Sequence, residues 1–112
     1  MNALHVQELI NFFRKLSLGR QPVLLDVREA WEVAVAPLVV PGVRTMHVPM
    51  SDIPPRLADV PATQPIIVFC HHGMRSAQVV AFLSQHHYPE VYNLAGGTHA
   101  WSSLVDPSVP CY

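Results

Sequence analysis

Only two cysteines, Cys70 and Cys111, occur in the 112 residues. So few thiols cannot form a disulfide framework, and a reducing compartment keeps both free. Charge is scarce as well: 13% of residues are charged, with seven Lys and Arg against eight Asp and Glu. No basic stripe appears, so a nucleic-acid partner is not expected. Apolar runs long enough to span a membrane are missing. The N-terminal stretch, interrupted by His5, Gln7, Glu8 and Asn11, lacks the pattern of a signal peptide. These absences point to a cytoplasmic domain that associates with neither membrane nor nucleic acid. What is plentiful is apolar side chain, at 50% of residues. A chain of this length and composition buries roughly two-thirds of the surface it exposes when unfolded.

Periodicity supplies the elements. Val6, Leu9, Ile10, Phe13 and Leu16 recur at helical spacing and predict a helix ending before Gly19. Val23–Val27 reads as a buried strand, and a turn of helix follows over Glu29–Val35. Pro37, Pro41 and Gly42 break the chain into a loop. Thr45–Val48 is a second strand, and Ser51 or Asp52 could cap a short helix through Leu57. Pro65-Ile66-Ile67-Val68-Phe69 is a third strand, Val79, Phe82, Leu83 and His86 mark a helix over 75–86, and Glu90–Leu94 is a fourth strand. Gly96-Gly97 turns the chain, and Thr98 is placed to cap a last helix carrying Trp101. Strands alternating with helices predict an α/β fold, a small parallel sheet with helices on both faces. Residues 105–112, Val105 to Tyr112, read as a mobile tail in which Cys111 is incidental, with a resolving thiol as the alternative.

Cys70 ends the third strand, and the polar loop His71-His72-Gly73-Met74-Arg75-Ser76 leads into the helix. Backbone N–H groups at a helix start have no intrahelical partner and favour negative charge. A thiolate there is stabilised, and its pKa can fall from about 8.5 into the range ~3.5–7.5. Free cysteine is also among the most buried residue types and often packs as a small hydrophobe. A glycine, an arginine and a hydroxyl around it make an anion cradle that a packing residue does not require. Cys70 is therefore the candidate nucleophile. Ligands of parallel sheets bind outside the carboxyl ends of strands, and Asp26 ends a strand too, so the two residues can share a rim.

These residues resemble a known family, the single-domain rhodaneses, which are sulfurtransferases of the thiosulfate sulfurtransferase type. Three motifs carry the likeness in order: Leu24-Leu25-Asp26-Val27-Arg28-Glu29 with Glu32, Cys70 to Ser76, and Asn93-Leu94-Ala95-Gly96-Gly97 with Trp101. The likeness runs from about Val6 to Trp101 and implies a rhodanese-like domain over residues 1–104, Met1 to Leu104. One departure stands out: Leu38-Val39-Val40 precedes Pro41-Gly42 where the family usually has a glycine–histidine pair. The resemblance implies that Cys70 thiolate takes the outer sulfur of a donor such as thiosulfate as a persulfide. An acceptor thiophile, cyanide or a thiol on a small molecule or protein, then removes it, and no cofactor takes part. Backbone N–H groups of residues 71–75 would hold the anions, Gly73 would permit the turn and Ser76 would cap the helix.

Arg75 could bind an anionic donor or lock the loop against Asp26, Glu29 or Glu32; the lock is the better reading, because a buried unpaired guanidinium is costly. Arg28, a supporting residue with Asp26, is expected to pair with Glu32 across one helical turn. His71 and His72 are adjacent, so they are expected to face different ways. No third ligand lies in a recognisable pattern, and no metal is predicted; the imidazoles would line the pocket mouth. His5, His47 and His99 have no evident chemical partners. Two rivals remain. A cysteine phosphatase would hold five residues between cysteine and arginine, against four here, and a non-catalytic binding module would typically lack the cysteine.

Overall fold

Runs of leucine, valine and isoleucine separated by helical stretches form an all-parallel sheet. The computed structural model describes residues 2–16 and 20–112. Its regular elements are β1 (Ala3–His5), α1 (Leu9–Lys15), β2 (Val23–Asp26), α2 (Ala30–Val35), β3 (Arg44–His47), β4 (Ile66–Phe69), α3 (Met74–Gln85), β5 (Val91–Ala95) and α4 (Gly97–Leu104). Strand order is β1-β5-β4-β2-β3. The two strands with every residue buried, β2 and β4, sit side by side at the centre. Continuous apolar sequence is what a parallel strand covered on both faces requires.

Alternation along these strands feeds two cores. Leu25, Val27, Ile66, Val68 and Cys70 face Val79, Val80 and Leu83 of α3. Leu24, Ile67, Phe69 and Leu94 face the other way, onto Leu9 of α1 and Trp101 of α4. Helices therefore cover both faces, and Cys70 belongs to the core under α3.

Four expectations need correction. The apolar stripe from Val6 is not one helix: a single 3-10 turn over Val6–Glu8 precedes α1, and ahead of it an unforeseen strand, β1, pairs Leu4 with Leu94. An edge strand of three residues shows no period of its own and exists only because β5 offers a partner. The end of that helix before Gly19 lies outside the described residues. The short helix from Ser51 or Asp52 is replaced by two 3-10 turns, Met50–Asp52 and Leu57–Asp59. Pro54 and Pro55 lack the N–H that a continuous helix needs. Neither Ser76 nor Thr98 is a cap, since α3 and α4 start after Gly73 and Gly96, both at positive φ. Finally, the tail is packed, not mobile: Val109 is buried, and its carbonyl accepts from Ser102 Oγ at 2.6 Å.

Candidate active site

Cys70 leaves β4 at the carboxyl edge of the sheet, and the chain must reverse at once to enter α3. Gly73 makes that turn at φ +104°, a conformation that side chains with a Cβ rarely adopt. The turn aims the Gly73 N–H at Cys70 Sγ, 3.1 Å away, and Ser76 Oγ approaches the same sulfur at 3.4 Å. Ser76 Oγ also donates to Asn93 Oδ1 at 2.5 Å, while Asn93 Nδ2 donates to the Gly73 carbonyl at 3.1 Å. The amide of Asn93 is thus fixed from both ends.

Ser76 carries one hydroxyl proton and faces two acceptors. With the thiol protonated, S–H can donate to Ser76 Oγ, which donates onward to Asn93. With the thiolate, the hydroxyl can turn to the sulfur. Burial of Cys70 pushes its pKa up, but hydrogen bonds from the Ser76 hydroxyl and from the amides of Ser76, Gly73 and Arg75 outweigh it, so the net shift is downward. The arrangement favours an anionic sulfur, through donors at a helix N-terminus.

A second network runs along the outside of the loop. Arg75 forms a two-pronged pair with Glu32, at 2.6 and 2.8 Å. Among the carboxylates expected for Arg75, Glu32 is the partner found. The Arg75 hydrogen bonds are the main reason that the Glu32 pKa falls to about 2, against burial that raises it, and Tyr112 adds a smaller lowering contribution. Tyr112 Oη donates to Glu32 Oε2 at 2.7 Å and accepts from Arg28 Nη1 at 3.1 Å. Arg28 is fully buried and pairs with Asp26, through Nε to Oδ1 at 2.9 Å and Nη2 to Oδ2 at 2.8 Å. The expected Arg28–Glu32 ion pair is absent. Arg28 reaches only the Glu32 carbonyl, because the Glu32 carboxylate accepts from the Glu29 N–H and turns toward Arg75. Asp26 does share the rim with Cys70: it is in register with Phe69, the residue before the cysteine.

The histidines also depart from expectation. His71 and His72 lie on the same side, with ring centroids 4.0 Å apart, and His99 stands 5.0 Å from His72. Burial, and after it the electrostatic influence of the neighbouring His72 and His99, pushes the His71 pKa down. Tyr112 stacks on His71 at 4.0 Å and 11°. Neither Tyr112 nor His99 was found from the sequence; a tail residue and a helix residue carry no spacing signal toward the loop. Asn93 had one, since it opens the third motif and lies on the strand beside β4, in register with Val68.

Cys70, His71, His72, Met74 and Arg75 line a cavity of about 200 Å³. A larger one, about 640 Å³, lies between Pro54, Pro55, Pro61 and Tyr88. Its lining holds neither a thiol nor a charged group, whereas the smaller cavity has both, in Cys70 and Arg75.

Known proteins share this architecture. The rhodanese-like domain family model matches residues 7–104. A sulfurtransferase of Allochromatium vinosum is 35% identical over 89 residues, 80% of this chain and 79% of that protein. A thiosulfate sulfurtransferase, GlpE, of Pseudoalteromonas translucida is 28% identical over 87% of this chain and 96% of its own length. The crystal structure of a rhodanese-like domain protein from Staphylococcus aureus superposes with a TM-score of 0.72 at 31% identity, covering 90% of this chain and 91% of that one. These relatives support a function of the sulfurtransferase type. A parallel sheet with a cysteine loop at its rim, matched along nearly the whole chain, makes this chain a member of the rhodanese-like domain family.

Proposed function

We propose that Cys70 carries sulfane sulfur as a persulfide, from thiosulfate or a similar small anionic donor to a thiophilic acceptor. The observation that carries this reading is the Gly73 N–H 3.1 Å from Cys70 Sγ at the start of α3. Thiolate and persulfide are both anions, and the same donors can serve each. In the first step, Cys70 thiolate attacks the outer sulfur of thiosulfate. The S–S bond breaks, and sulfite leaves with the electron pair. In the second, cyanide or a thiolate attacks the terminal sulfur of the persulfide and leaves as thiocyanate or a new persulfide, returning Cys70 thiolate. Charge balances in each step, and no cofactor is required.

The cavity of about 200 Å³ is below the usual ~300–1,000 Å³ of organic-ligand sites, which suits an anion of a few atoms. Arg75 is engaged by Glu32, so its proposed role is to lock the loop, with only its remaining donors facing the donor anion. Asp26 and Arg28 support the loop from beneath. The acceptor is a small molecule or a protein thiol. The proposed setting is a reducing cytoplasm, a reading supported by the two free thiols; among the described residues no helix is long and apolar enough to cross a membrane.

The test is turnover. Protein supplied with thiosulfate and cyanide should form thiocyanate, and Cys70→Ser should form none above background. Hydrolysis of an aryl phosphate without any sulfur transfer would favour the phosphatase reading. Inactivity in both assays with intact fold would favour a binding module.

A further inference from the structure

At the cavity that Cys70 lines, His71 and His72 meet a third imidazole, and the proposed sulfur transfer gives none of the three a step. His71, His72 and His99 bring one ligand-capable nitrogen each within 4.8 Å of one another. His71 Nε2 is buried without a hydrogen-bond partner, an orphaned position that normally demands an explanation. Cys111 Sγ lies 3.2 Å from His99 Nδ1.

The clustering is built by the backbone. The Thr98 and His99 N–H groups donate to the carbonyls of Cys70 and His71, at 2.9 and 3.0 Å. This clamps the start of α4 onto the loop. Only glycine fits at the contact: a Cβ on Gly97 would stand 2.3 Å from the Cys70 carbonyl oxygen. The third imidazole is therefore registered against the first two by the fold.

We propose that His71, His72 and His99 form a binding site for one zinc ion beside the active-site cavity, with Cys111 as the fourth ligand. Three imidazoles and a thiolate are a donor set that selects zinc-class cations over calcium or magnesium. Around a tetrahedral zinc, nitrogens stand about 3.3 Å apart, and nitrogen and sulfur about 3.6 Å. The rings must close inward by an ångström or so. His72 and His99 are exposed, so their rings can turn without disturbing packing. Cys111 is exposed as well, and binding releases its thiol proton to solvent.

Zinc titrated into the full chain against a chromophoric chelator tests the site. Wild type and Cys70→Ser should each take up one equivalent, and His99→Ala and His72→Ala should bind at least tenfold more weakly. Cobalt, as a spectroscopic substitute for zinc, should show a thiolate charge-transfer band in wild type and Cys70→Ser that Cys111→Ser lacks. No uptake by wild type, or equal uptake by wild type and His99→Ala, overturns the site. Uptake that disappears in Cys70→Ser would place the metal on the cradle thiolate, and also overturns it. A charge-transfer band that persists in Cys111→Ser removes Cys111 from the ligand set. None of these readouts depends on sulfur transfer, so the site and the proposed activity stand or fall separately.

Discussion

Two networks meet at one loop, and they are made of different chemistry. The inner one is uncharged apart from the sulfur: Gly73 N–H and Ser76 Oγ reach Cys70, and Asn93 holds both. The outer one is a ladder of alternating charge, Asp26–Arg28 and Glu32–Arg75, bridged by the Tyr112 hydroxyl. Dipoles and single hydrogen bonds tune the protonation of a nearby atom, whereas paired charges fix elements in place. The inner network should therefore govern the acidity of Cys70, and the outer one the rigidity of the rim.

The largest effect should come from the deepest rung. Asp26→Asn leaves the fully buried Arg28 without its counter-charge, and breaking a buried pair from one side costs about 3–5 kcal/mol. The urea midpoint should fall accordingly, while the Cys70 pKa in the folded protein stays put. A moved pKa would break the division.

Glu32 gives the next effect, and its sign is fixed by pH. Its folded pKa of about 2 lies below the ordinary 4.5. Its contribution is complete above pH 4.5 and is lost as pH falls toward the folded value. Linkage sets the upper limit at about 3 kcal/mol, reduced because Arg75 is partly open to solvent. Acid unfolding of wild type should show this slope, and Glu32→Gln should not.

Ser76→Ala probes the inner network. A hydrogen bond to a charged group contributes about 1.5–3 kcal/mol, which corresponds to a rise of about one to two units in the Cys70 pKa. With the Cys70 thiolate as the proposed nucleophile, sulfur transfer should rise with pH, and this variant should need a higher pH for half its maximal rate. A pH profile identical to wild type would remove Ser76 from the account. The smallest effect belongs to Tyr112→Phe, which keeps the stack on His71 and loses two bridging hydrogen bonds. Arg28 and Glu32 keep their ion pairs with Asp26 and Arg75, so a total of about 0.5–1.5 kcal/mol is expected, read as a modest drop in melting temperature with the pH profile unchanged.

The sequence made the inner network readable and hid most of the outer one. Apolar runs ending on Asp26 and Cys70 placed both at strand ends, and a glycine followed by a helical stripe placed the cysteine at a helix start. These signals are local. Arg28 chose Asp26 over Glu32 because the chain turns directly after β2, and helical spacing applies only from Ala30 onward. Tyr112 and His99 reach the loop through tertiary packing, as β1 reaches β5, and local periodicity contains no term for such contacts. Gly97 was legible as a turn, but its need for close backbone approach appears only once α4 is seen against the loop.

In the proposed reaction Cys70 holds the transferred sulfur. Intact mass measured after thiosulfate treatment and removal of excess donor tests it most directly. Wild type should gain the mass of one sulfur atom, lose it on adding cyanide, and Cys70→Ser should gain nothing. No gain on folded wild type, or an equal gain on Cys70→Ser, would contradict the account.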